Sequence, residues 1–230
     1  AQVARGALTD AARGLRDALR SAPGHPEVQA LFGRLLALAG RPRQGLTFLE
    51  AAIGVEPSLA PAVRDALFVQ ALLGDWTGLE RALSGPSRGR QTDALVARLA
   101  LWHPDPGVAH AAARASRLDA EARALAALAS PGASASLIEA RLAAVGTDRA
   151  IEDRIAAAQT AAEIYARLGD RARALELVEH AVGLGLSDIA WVERCPALAP
   201  LGAELSGVAP EIARRADAIR ASLRSGGARG

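Results

Sequence analysis

Four histidines and one cysteine are the side chains here most suited to metal binding or nucleophilic chemistry, and their spacing supports neither. His25, His103, His110 and His180 stand apart, with no Cys or acidic residue at metal-ligand spacing. His103 and His110 share a neighbourhood, but Pro104 and Pro106 break the helix that would align them. Cys195 has no partner for an intramolecular disulfide, which fits a reducing compartment. It reads either as a redox-sensitive thiol or as a semi-buried small apolar residue beside Pro196, and the second reading is adopted. Glu176 and Glu179 recur at helical spacing with Arg171 and Arg173 near them, the pattern of a solvated helix face. No phosphate-binding loop, G-x-S-x-G elbow or kinase motif set occurs. The expectation is a non-catalytic chain with no metal and no cofactor.

The elements that must carry these residues are helices. Alanine supplies 56 of 230 residues and only seven are aromatic, which favours closely packed helices over strands. Lysine, asparagine and methionine are absent, so every basic side chain other than histidine is Arg. That bias reads as the codon usage of a GC-rich bacterial genome. Acids and Arg are interleaved to a net charge of +2, with no basic run, which argues against a nucleic-acid partner. Trp76, Trp102 and Trp191 read as hairpin anchors rather than a base-stacking platform. No apolar run reaches the ~18 to 20 residues of a membrane span and no signal peptide opens the chain. The expectation is a cytoplasmic protein without membrane insertion.

A repeat organises the chain. With Pro26 as the first residue of a 34-residue unit, Gly33 falls at position 8, Leu36 at 11, Gly40 at 15, Gly45 at 20, Leu49 at 24, Ala52 at 27 and Pro57 at 32. One unit earlier, Gly6, Ala11, Leu15, Ala18 and Pro23 fill the matching places. One unit later, Gly74 and Leu83 keep the register, Leu67 and Leu79 replace small residues, and Pro86 shortens the second helix. The pattern returns over Ile155 to Leu186 with Ala162, Tyr165, Gly169, Ala174, Val178 and Ala181. Small residues at 8, 20 and 27 facing a large one at 24 let two helices approach closely. Glycine at 15 ends the first helix in a left-handed cap.

This spacing resembles the tetratricopeptide repeat (TPR). The resemblance implies an all-α, right-handed α-solenoid of helical hairpins that must stack to bury their apolar faces. Between residues 88 and 153 the register is lost but helical patterning continues. Helices are expected at about Thr92–Trp102, Pro106–Ala115, Leu118–Ala129, Ser134–Val145 and Asp148–Leu168. The run from Trp191 to Leu201 is similar to the tail of repeat arrays in bacterial multidomain signalling proteins such as Ser/Thr protein kinases. A last helix, Pro210 to Arg224, is expected to cap the open end of the stack. The organisation read from sequence is therefore TPR-like repeats over 1–87, divergent hairpins over 88–153, a TPR-like repeat over 154–186, and a tail with capping helix over 187–230.

In TPR proteins, positions 2, 5, 9 and 12 of the first helix line a concave groove. Here these are Glu27, Ala30, Arg34 and Ala37, then Pro61, Arg64, Phe68 and Ala71, then Ala156, Gln159, Glu163 and Ala166. The candidate groove residues are Arg34, Arg64, Phe68, Gln159 and Glu163. Two Arg forks on adjacent helices suit a peptide C-terminus or acidic side chain, with Phe68 packing its apolar part. The expected role is a protein- or peptide-binding scaffold, the interaction or regulatory segment of a larger bacterial signalling protein. The alternative is a module that forms homo-oligomers or docks on a catalytic domain of its parent.

Overall fold

A computed structural model of the chain describes residues 2–85, 89–115 and 150–224. It is all-helical, with no strand among the described residues. The helices are α1 (Gln2–Ser21), α2 (Pro26–Leu38), α3 (Pro42–Val55), α4 (Ala60–Leu72), α5 (Thr77–Ser84), α6 (Arg90–Trp102), α7 (Pro106–Arg114), α8 (Ile151–Leu168), α9 (Arg171–Leu184), α10 (Ile189–Arg194) and α11 (Ala209–Arg224). A run of 3-10 turns, Pro196–Gly207, joins α10 to α11 and breaks at Gly202. The helices expected at 118–129 and 134–145 lie outside the described residues.

The chain forms two compact units. The first gathers Ala1–Gly74, Ser187–Glu193 and Ala209–Gly230, and the second Asp75–Leu186 and Arg194–Val208. This division does not follow the four consecutive segments read from the sequence. The tail contributes to both units, and the second unit begins at Asp75.

In the first unit, α2 and α3 form the tightest helix pair. Their backbones touch where the repeat spacing calls for small residues: a Cβ on Gly33 would lie 2.7 Å from the Gly45 carbonyl oxygen, and one on Gly45 would lie 2.5 Å from that of Gly33. The fully buried Leu49 fills the seam beside them. The link between the helices is a left-handed turn at Gly40 (φ 81°), closed by Gly40 N–H donating to the Ala37 carbonyl and Arg41 N–H to that of Leu36. Pro26 and Pro42 start the two helices, where a missing N–H costs no hydrogen bond.

This hairpin buries apolar residues on two sides. On one, Ala30, Ala37 and Ala52 meet Ala62, Ala66 and Val69 of α4. On the other, Leu35, Leu36 and Ala39 meet Ala12 of α1 and Ile219 and Leu223 of α11. Helix α11, expected to cap the open end of the stack, packs on α1, with a smaller contact to α2. The physical reason is its stripe of buried Ile212, Ala216, Ile219 and Leu223, which matches the apolar surface that α1 and α2 present. The Arg220 guanidinium donates to the Ala39 carbonyl, and Arg16 of α1 donates to that of Ser222 at 3.3 Å. A second departure concerns Gly6, which lies inside the continuous helix α1 instead of ending a first helix.

In the second unit, α8 and α9 pair closely through wholly buried Ala162, Ala174, Val178 and Ala181. The turn between them is again left-handed, at Gly169, and Asp170 caps α9 by accepting from Arg173 N–H at 3.1 Å. The 3-10 run packs on both helices through Ala197, Leu198, Leu201 and Leu205. Helix α6, with Leu99, Leu101 and Trp102 almost wholly buried, pairs with α7.

Candidate functional site

The candidate groove residues fall in both units. Arg34 is exposed on α2, while Arg64 and Phe68 are half-buried one turn apart on α4. The charges of both guanidiniums act on the carboxyl of Asp65. Burial of Asp65 pushes its pKa above the usual carboxylate value, and the charges of Arg34 and Arg64 oppose that rise. The face between α2 and α4 thus carries a half-buried acid within the field of two Arg, with Phe68 one turn beyond Arg64. Asp65 was not foreseen as part of the group. Its adjacency to Arg64 was visible, but its approach to Arg34 depends on how α2 and α4 pair.

The alanines expected on this groove are not open to a partner. Ala30, Ala37 and Ala71 are 4%, 5% and 1% exposed, and Ala30 and Ala37 pack in the core against α4. What remains accessible at the expected groove positions of this unit is Glu27, Arg34, Pro61, and the partly covered Arg64 and Phe68.

Gln159 and Glu163 are corrected from surface to interior. Both are buried on α8, Glu163 completely. Arg98 of α6 reaches Glu163 in a bidentate ion pair, Nη2 to Oε1 at 2.5 Å and Nε to Oε2 at 2.9 Å. The same guanidinium lies 5.5 Å from the ring centroid of Trp102. Arg167 of α8 donates to the Leu101 carbonyl and ties α8 to α6 a second time. A position that lines an open groove in an isolated repeat is here covered by a neighbouring helix. The sequence signal was Arg98 itself, which sits on the otherwise apolar stretch from Leu95 to Trp102.

Cys195 belongs to the same interior. Its thiol is 4% exposed, and burial, reinforced by the negative charge of Glu163, pushes its pKa well above the free value, with Arg98 acting in the opposite sense. A thiol held protonated is a poor nucleophile. This agrees with the adopted reading of a buried apolar residue. His103 accepts from the Asp105 N–H at 3.0 Å and meets the edge of Trp76, and His110 faces the Pro106 carbonyl. Among the described residues no three of His, Cys, Asp and Glu gather as a metal site would require, and no helix is long and apolar enough to cross a membrane.

No protein-family model matches the chain, and no curated protein matches it.

Proposed function

We propose that the chain is a non-catalytic scaffold of TPR-like hairpins, stacked as a right-handed solenoid, which binds an acidic segment or free C-terminus of a cytoplasmic protein partner. The observation that carries this reading is that exposed Arg34 on α2 and half-buried Arg64 on α4 both exert their charge on Asp65, with half-buried Phe68 one turn beyond Arg64. A pair of guanidiniums on adjacent helices suits bidentate recognition of a second carboxylate, and Arg34 is exposed enough to offer its donors. The close pairing of α2 with α3 and α8 with α9 at the register positions supports the repeat assignment.

The test is a fluorescence-anisotropy screen of peptides ending in a free carboxylate against their amidated counterparts. Binding that amidation weakens, and that Arg34→Ala and Arg64→Ala each reduce by about tenfold, is the expected result. Preserved affinity in the Arg34→Ala, Arg64→Ala double variant would show that this face is not the site. In a second reading the chain pairs with its own copy, and Leu31 and Val55, 48% and 62% accessible, are apolar side chains open to such a contact. Light scattering across a concentration series separates the two, since only self-association makes the mass depend on concentration.

A further inference from the structure

A hollow of about 420 Å³ opens between α2, α3 and α11, wholly within the first unit and away from the α2–α4 face discussed above. Phe32, Leu36, Phe48 and Leu223 line its apolar part. The two phenyl rings meet edge to face, with centroids 5.0 Å apart, and form one continuous aromatic wall. Its polar part is of one sign. Arg41, Arg220 and Arg224 stand around it with neutral Gln44 and Thr47, and no acidic residue lines it.

The three Arg are not equivalent. Arg220 is committed to the Asp217 carboxylate and the Ala39 carbonyl. Arg41 donates to the Gln44 side-chain oxygen at 3.2 Å, and Arg224 to the Arg220 carbonyl at 3.3 Å. Neither Arg41 nor Arg224 has an acidic partner among the described residues. Helix α3 begins at the same place with no acidic residue in its first turn, and so adds to the positive field.

We propose that this hollow binds a small organic carboxylate with an apolar body, of the type a medium-chain fatty acid exemplifies. The apolar wall excludes a bare inorganic anion, which would gain nothing from Phe32, Phe48 and Leu223. The uncompensated guanidiniums exclude a neutral hydrocarbon as the preferred occupant. Size points the same way, because the volume lies at the low end of the roughly 300 to 1,000 Å³ that small-molecule sites span. The carboxylate takes the donors of Arg41 and Arg224, and the body lies against the phenyl wall. This site is independent of the peptide-binding reading, since it shares none of Arg34, Arg64 or Phe68.

The experiment is calorimetric titration of the full chain with decanoate, below its micelle concentration, and with decanol. Decanoate is expected to bind one to one and at least about tenfold more tightly than decanol, a difference of about 1.4 kcal/mol. Arg41→Gln and Arg224→Gln should each weaken decanoate about threefold without changing decanol, and both together should bring the two ligands level. Thr47→Trp, placed on an exposed edge of the hollow, should block both ligands while leaving the melting temperature unchanged. Arg34→Ala should have no effect, which separates failure of this site from failure of the α2–α4 face. Equal affinity of the unmodified chain for decanoate and decanol, absence of decanoate binding, or full decanoate affinity in the double Arg variant would each overturn the proposal.

Discussion

Three side chains carry most of the information at the scale of single residues. Glu163 has no access to water, and its charge is tolerated because Arg98 meets it with two parallel hydrogen bonds. Removing one partner strands the other, so Glu163→Ala should lower stability by about 3 to 5 kcal/mol in a urea titration. An Arg98→Met, Glu163→Leu double variant should recover a substantial part. Asp65 is opposite in character. Burial raises its pKa from 3.8, so the folded chain holds this proton to higher pH than the unfolded chain does. Its contribution to folding is most favourable below pH 3.8 and is lost as pH rises through the shifted value. Asp65→Asn should therefore raise the melting temperature at pH 7 and leave it unchanged near pH 3. Cys195 follows the same sign at the alkaline end: the native thiol should resist a disulfide reagent at neutral pH, and stability should fall above pH 9.0 by an amount that Cys195→Ala removes. The sequence could mark Arg34 and Glu163 as charged residues at interesting positions. It could not say which would be covered, because that depends on α6 reaching α8 across 65 residues of chain separation.

At the scale of elements, far more was legible. Helix α2, its glycine turn and helix α3 follow directly from the spacing of Gly33, Gly40, Gly45, Leu49 and Ala52, since small residues at fixed offsets have few other uses in a helix. A mutational contrast makes the point quantitative. Gly inside an exposed helix is normally improved by Ala, by about 0.5 to 1 kcal/mol, and Gly14 on α1 has nothing within 4 Å of its missing Cβ, so Gly14→Ala should stabilise. Gly33→Ala and Gly45→Ala meet backbone atoms instead and should destabilise by about 1 to 3 kcal/mol, read from thermal melts of the three variants. A stabilising effect at all three would mean that α2 and α3 do not touch. The spacing misled at Gly6, where a long uninterrupted helix replaced the expected hairpin. Ala37 also has a buried role, because α4 packs over it. A groove position is identical in type to a core position once alanine occupies both.

At the scale of the whole chain, the all-α class was readable from composition, and the grouping of segments was not. Nothing in α11 names its neighbour: its apolar stripe would suit any exposed helical surface, and α1 and α2 provide one. Ile219, 1% exposed, is the residue on which that contact turns, and Ile219→Ala should cost about 2 to 5 kcal/mol while Ala218→Ser on the exposed side should be neutral. If the two substitutions have equal effect, α11 is not part of the first unit's core.

The contact of α11 with α1 and α2 has a consequence for how the protein is made. As the chain leaves the ribosome, the α2–α3 hairpin can close against α4 at once and α1 covers part of its other face, but the rest of the face bearing Leu35, Leu36 and Ala39 has to wait for Ile219 and Leu223. Ile219 lies 180 residues beyond Ala39, so at roughly 5 to 20 residues per second that part stays uncovered for about 9 to 36 seconds. During this interval the nascent chain offers an apolar helical surface to whatever holds unfinished polypeptides.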